Sequence, residues 1–235
     1  MKILSDIEKE QLSAMRICIL SPIFYIEPLT VQSLVNMVAY SWKHGLRIEE
    51  MGIVVRQLTD WARNNLARAS KEQNYTHLLW IDADMVFNAD MAIELSRHFV
   101  RSEIDMISAL AFGRQEGNFP IGYLKIHSDK RYARSPITHY PNTLYEVDGF
   151  GMAAVLMKAD VFARIPEPWF SFDNGIAEDV YFCTKAREYG IRMWIDGSCK
   201  IGHLGDPVVI NEDAYKQYQS DNPERFRKMK ESESV

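Results

Sequence analysis

Apolar residues recur along the chain in two alternating rhythms. Residues 16–21 (RICILS) form a short β-branched run, and Pro22 behind them predicts that a strand stops there. Over residues 30–44, Val31, Leu34, Val35, Val38 and Trp42 fall at helical spacing, and Gly45 supplies a helix stop. Residues 47–55 predict a second strand, 59–73 a helix carrying Trp61, Leu66 and Ala69, and 76–81 a third strand. A helix over about 89–100 and a strand over 104–109 extend the alternation. This order predicts an α/β fold with a mostly parallel, twisted sheet flanked by helices. In such sheets ligands gather beyond the carboxyl ends of the strands.

After residue 112 the rhythm weakens. Residues 113–145 are rich in Gly, Pro, Ser, His and basic side chains and hold only short strand-like pieces. A connection of that length inside a domain is usually functional or disordered. Order returns with a strand over 152–157, an amphipathic helix over 177–189 ending at Gly190, and a strand over 191–195. The tail, 211–235, is polar and predicts two helical pieces, the second opened by Pro223. The whole reads as one domain over 1–235, without internal repeats.

Composition narrows the picture. A chain of 235 residues with 47% hydrophobic content can bury one substantial core. The net charge of -5 is spread over interspersed acids and bases, unlike a basic nucleic-acid-binding tail or a membrane-directed helix. Cys18, Cys183 and Cys199 are odd in number and far apart, with no CxxC pair, which argues against a disulfide framework or a zinc knuckle. The N-terminus lacks the apolar core of a signal peptide, and no apolar run reaches about 18 residues. The expectation is a cytoplasmic protein without stable membrane insertion.

Chemistry concentrates in four short stretches. In LLWIDADMVF, residues 78–87, an apolar strand ends in Asp82 and Asp84, separated by one alanine. Two such carboxylates suit one Mg or Mn ion, although a solvated strand end would carry them equally well. GFG, residues 149–151, places two glycines around an aromatic, where the backbone must let another group approach closely. Glu178 and Asp179 open a predicted helix, a position that the helix dipole alone would favour for acids. His203 lies between glycines after a strand, as a ligand or as an ordinary hydrogen-bonded imidazole.

Taken in order, these stretches resemble the nucleotide-sugar-dependent glycosyltransferases of GT-A fold, over roughly residues 16–205. Asp82-Ala83-Asp84 is similar to the DxD motif, Gly149 to Gly151 to the glycine loop, Ala177-Glu178-Asp179 to the xED motif, and His203 to the C-terminal histidine. The resemblance implies a single Rossmann-like domain, with the nucleotide held by residues of about 16–110 and the acceptor by about 111–210. It implies Mn2+ or Mg2+ as cofactor, with Asp84 the direct ligand, His203 completing the site, and Asp82 holding the cation or the ribose. Donor contacts follow from Pro22, Tyr25 and Glu27 after the first strand, from Arg63 and Asn64 in TDWARNNLARA, and from the glycine loop. Phe24 is the alternative to Tyr25 as the aromatic facing the ligand. Asp179 is implied as the general base, with Glu178 second, in a reaction that inverts the sugar centre. The partners are then a nucleoside-diphosphate sugar and a hydroxyl acceptor, whether glycan, lipid or a modified base in DNA.

Lys125, His127, Lys130, Arg131 and Arg134 make the middle segment locally basic, which suits an acidic acceptor or simply a solvated loop. Pro168, Trp169 and Phe170 suit either an acceptor platform or core packing. Two other classes compete. A Mg-dependent nucleotidyltransferase would normally carry a glycine-rich phosphate loop after the first strand, and SPIFYIEP is no such loop. A non-catalytic nucleotide-sugar-binding module would keep the fold without the reaction.

Overall fold

Ser5 and Glu8 cap a helix that the apolar pattern passes over. In the computed structural model, which describes residues 5–127, 133–173, 175–205 and 209–227, α1 (Asp6–Ser13) opens on a reciprocal capping box between these two side chains. Lys130 and Arg131 of the basic segment, and the tail beyond residue 227, lie outside the described residues.

The strands β1 (Arg16–Ile23), β2 (Arg47–Val55) and β3 (His77–Ile81) run parallel, β1 between the other two. The strand does not stop at Pro22. The β3 ladder ends at Leu20, so beyond it β1 has a neighbour on one side only, and a residue without an N–H is tolerated there. Between these strands lie α2 (Pro28–Lys43) and α3 (Thr59–Lys71). Proline at the first turn of α2 starts that helix two residues before the expected Thr30.

The face that α2 buries also differs from expectation. Thr30, Ser33, Leu34, Met37 and Ser41 point inward, whereas Val31, Val35 and Trp42 are exposed. Small hydroxyl side chains let the helix sit close to β2 and to a short strand at Met85–Val86, and Ser33 accepts a hydrogen bond from the Phe87 N–H. Binary patterning ranks those hydroxyls as polar, so it turns the helix the wrong way.

The rest of the chain completes one sheet and two small ones. In order come β4 (Met85–Val86), α4 (Met91–Arg101), β5 (Met106–Leu110), β6 (Gly122–His127), β7 (Ala133–Pro136), β8 (Leu144–Val147), β9 (Gly149–Phe150) and β10 (Ala154–Lys158). After them follow α5 (Val161–Arg164), α6 (Glu178–Glu188), β11 (Met193–Lys200), β12 (Gly202–Leu204), β13 (Val209–Ile210) and α7 (Glu212–Asp221). Helix resumes over 223–227, opened by Pro223. The seven-stranded sheet has the order β2-β1-β3-β10-β5-β11-β8, with β10 and β8 antiparallel to their neighbours. Since β10 inserts between β3 and β5, the two halves of the sequence share one sheet. The middle segment supplies β6 and β7, which with β9 form a second sheet, and β4, β12 and β13 form a third.

Alternation along β3 decides what its acids meet. Leu78 and Trp80 belong to one core, Leu79 and Ile81 to the other. Side chains two apart share a face, so Asp82 follows Trp80 toward α3. Trp169 and Phe170 are fully buried beside Trp80, which assigns them to core packing and not to an acceptor platform. Among the described residues, no helix is long and apolar enough to cross a membrane.

Candidate functional site

The carboxyl ends of β1, β3, β5 and β11 open onto one cleft of about 350 Å³. Pro22, Ile23, Phe24 and Tyr25 line it after β1, Gln57, Thr59 and Arg63 at the start of α3, Asp82 to Asp84 after β3, Arg114 after β5, and His203 from β12. The sheet order reverses direction at β1 and β3, the position where open α/β sheets leave a crevice for ligands. Tyr25 and Phe24 are both strongly exposed at the cleft, so either ring is free to stack on a base. Glu27 does not line the cleft. Its backbone N–H donates to the Ala83 carbonyl at 3.1 Å and ties the β1 loop to the acid pair.

Strand pairing delivers the histidine to the second acid. Antiparallel pairing of β4 and β12 sets His203 opposite Met85, and the Leu204 N–H donates to the Asp84 carbonyl at 2.8 Å. His203 Nε2 consequently lies 3.2 Å from Asp84 Oδ2. At the other ring nitrogen, Nδ1 faces the Phe112 carbonyl at 3.2 Å. A carbonyl and a carboxylate both only accept, so each contact is a hydrogen bond when the ring nitrogen that faces it carries the proton. Burial pushes the Asp84 carboxyl up, but His203 and Arg114 outweigh it and hold the group below the usual carboxylate range. Nη2 of Arg114 ion-pairs with the same Oδ2 at 2.8 Å.

The first acid is engaged differently. Asp82 Oδ1 accepts from Arg63 Nη2 at 2.9 Å, and Arg63 Nε lies 3.3 Å from Glu178 Oε1. This guanidinium is buried, flanked by the Trp80 and Phe170 rings, and its Nη1 makes no hydrogen bond. It bridges the acid at the end of β3 and the acid at the start of α6. Burial, helped by the neighbouring charges of Asp84 and Glu178, raises the Asp82 carboxyl above its ordinary value despite Arg63. Among the described residues, no group of three His, Cys, Asp or Glu side chains is gathered as a ready-made metal cage. Asp84 and His203 are together, and Asp82 is turned to Arg63.

The neighbouring Asn64 has no atom left for a ligand. Its Nδ2 donates to the Asp60 and Phe170 carbonyls at 2.8 and 2.7 Å, and its Oδ1 accepts from the Trp169 and Phe170 N–H groups. The side chain clamps the segment before α6 onto α3, which corrects its reading as a donor contact.

The two glycines admit protein, not open space. A Cβ on Gly149 would stand 2.7 Å from Ile126 Cδ1 and 2.9 Å from Cys183 Cβ on α6. One on Gly151 would meet Ile121 Cγ2 at 2.5 Å and Asp179 Oδ2 at 3.3 Å. Their missing side chains let α6 settle against β9, so that its first turn sets Glu178 and Asp179 behind the lining of the cleft, next to Arg63 and Asp82. Glu178 is buried, while Asp179 keeps partial access to solvent. Burial first, then the Glu178 charge, push the Asp179 carboxyl up to about 6. A carboxylate of that kind accepts a proton readily near neutrality.

Sequence reading missed Gln57, Thr59 and Arg114. Arg114 lies five residues past a predicted strand, on the side of the sheet where ligand groups gather, and that position was its only signal.

No protein-family model and no curated protein sequence matches the chain. Solved structures do. A197 from STIV superposes with a TM-score of 0.58 at 17% identity, over 85% of this chain and 91% of that one. The inositol-1-phosphate CTP transferase from T. maritima gives 0.50 at 12% identity, over 89% of this chain and 97% of that one. GalNAc-T7, solved with UDP, GalNAc and Mn2+, gives 0.50 at 10% identity over 80% of this chain, which spans 44% of that protein. At such identities the likeness establishes the fold alone, a GT-A, Rossmann-like α/β architecture.

Proposed function

We propose that the chain is a metal-dependent glycosyltransferase that moves a sugar from a nucleoside diphosphate to a hydroxyl acceptor, with inversion at the sugar centre. The observation that carries this reading is the pairing of β4 with β12, which holds His203 Nε2 at 3.2 Å from Asp84 Oδ2 inside the cleft. A carboxylate and an imidazole whose other nitrogen is committed to a carbonyl fit Mn2+ or Mg2+, ions that take one or two protein ligands and complete their shell with phosphate oxygens and water. Asp84 and His203 would hold the cation, and Asp82 would support it or the ribose from its place on Arg63. The cation, when bound, neutralises charge developing on the departing diphosphate.

The remaining steps belong to side chains. Tyr25 or Phe24 stacks on the base, and Pro22 shapes the floor beneath it. Arg63, which lines the cleft from beneath, fixes Asp82 and Glu178 beside the donor. As the sugar centre gains oxocarbenium character, Asp179 removes the proton from the attacking hydroxyl, and Glu178 keeps Arg63 in register. Gly149 and Gly151 contribute by positioning α6. The hairpin of β6 and β7, with Lys125, His127 and Arg134, supplies the acceptor side.

A panel of nucleotide sugars with Mn2+ or Mg2+, scored for thermal stabilisation and slow donor hydrolysis, tests the reading. The expected outcome is a response to one nucleotide class that requires the cation; a flat panel sinks the proposal. The overlap along nearly the whole of the CTP transferase supports cytidylyl transfer as a second reading. Adding CTP with sugar phosphates to the panel, scored for pyrophosphate release, separates the two.

A further inference from the structure

We propose that Arg114 is a resident counter-ion of the Asp84–His203 pair that a divalent cation displaces, and that the freed guanidinium then takes the diphosphate, so that cation and diphosphate bind cooperatively. The second half rests on the nucleotide reading above; the first half does not.

Asp84 Oδ2 is the shared atom. It receives Arg114 Nη2 at 2.8 Å and faces His203 Nε2 at 3.2 Å. A cation using Asp84 and His203 must approach this same oxygen, and a doubly charged ion beside a guanidinium at contact distance is strongly repelled. Arg114 must therefore leave for the cation to enter. Its side chain is built to move, being half-exposed, with its other contact a long 3.4 Å bond from Nη1 to the Leu204 carbonyl.

The backbone beneath it is built to stay. The Gly113 N–H donates to the Phe119 carbonyl at 2.8 Å, and the Asn118 N–H to the Gln115 carbonyl at 3.0 Å. Two residues past Arg114, Glu116 accepts from Tyr218 and from Arg225, both at 2.9 Å. The movement is thus confined to one long side chain swinging about a fixed base. Once released, it lies in the same cleft as the cation, and a planar fork of N–H donors without a carboxylate suits phosphate oxygens. Charge balances at each stage: guanidinium on Asp84 in the empty cleft, cation on Asp84 and guanidinium on diphosphate in the loaded one.

Mn2+ binding followed by electron paramagnetic resonance on the full chain tests this without turnover. With Mn2+ alone, Arg114→Gln is expected to bind about tenfold more tightly than the parent, since the competitor is gone. With inorganic pyrophosphate or UDP present, the parent's Mn2+ affinity should rise by about tenfold or more, within the usual range of coupling between sites. In Arg114→Gln that rise should shrink toward none, and Arg114→Lys should restore part of it. Equal or weaker Mn2+ binding by Arg114→Gln overturns the counter-ion role; an undiminished rise in Arg114→Gln overturns the diphosphate role. If the parent binds Mn2+ and pyrophosphate but no nucleoside diphosphate, the nucleotide reading fails while Arg114 keeps its assignment. Thermal melts of each variant, expected to match the parent because Arg114 is half-exposed, confirm that folding is intact.

Discussion

Asp179 joins the chemistry of the cleft to the stability of the chain. Its carboxyl rises from 3.8 to about 6 on folding, mainly through burial. A raised carboxyl means that the folded state holds the proton more tightly than the unfolded one. The resulting destabilisation is absent below pH about 4, grows as pH rises, and is complete above about 6. Asp179→Asn should therefore melt higher than the parent at pH 7.5, by up to about 3 kcal/mol at ~1.4 kcal/mol per unit, and equally at pH 4. Transfer should be lost in this variant with donor affinity retained, and in the parent the rate should fall below pH about 6. Equal melting curves at both pH values would show that Asp179 carries no such cost. Arg63 works in the opposite sense. Arg63→Met leaves Asp82 and Glu178 facing each other without their cation, a change that costs about 3–5 kcal/mol for a broken buried pair. A urea melt measures it.

Between residues and the whole lie the contacts that aim α6. Asn64→Ala removes four hydrogen bonds to the backbone of residues 60, 169 and 170. Each buried partner left unsatisfied costs about 1–3 kcal/mol, so the midpoint in urea should fall sharply. Gly149→Ala forces Ile126 and Cys183 apart, an overpacking of about 1–3 kcal/mol, and transfer should drop with stability because the first turn of α6 moves back. A Gly149→Ala chain with unchanged turnover would uncouple the glycine from the site. These elements were legible in part. Period, glycine stops and strand ends located β3, α6 and the acids, because those signals are local. The clamp by Asn64 and the inward face of α2 were not, because both depend on which surface a polar group meets far along the chain, 54 positions away for Ser33 and 106 for Asn64, and an amide or a hydroxyl reads as solvent-facing until its partner is known.

For the molecule as a whole, the sheet sets the charge of the cleft. Four carboxylates, those of Asp82, Asp84, Glu178 and Asp179, converge with two guanidiniums and one imidazole. An anionic diphosphate gains little there unless a cation accompanies it. Stripping divalent ions with EDTA should accordingly abolish nucleoside-diphosphate binding in calorimetry, and Mn2+ should restore it. Nucleotide affinity that survives chelation would contradict the cation's place in the site. The α/β layout was readable from alternation alone. The insertion of antiparallel β10 between β3 and β5 was not, since pairing partners leave no trace in either strand's own pattern of apolar positions.

The Asp84–His203 contact spans 119 positions, and that separation matters while the chain is being made. Chains emerge from the ribosome N-terminus first, and early segments begin to order before later ones exist. Asp82 and Asp84 leave the ribosome with β3 long before β12 is available to pair beside them. Through that interval a nascent chain presents the acids without the imidazole, the Phe112 backbone in its final place, or α6. On the proposed reading, the cation is acquired late in biosynthesis, and the ability to hold it reports that the chain has been completed through β12.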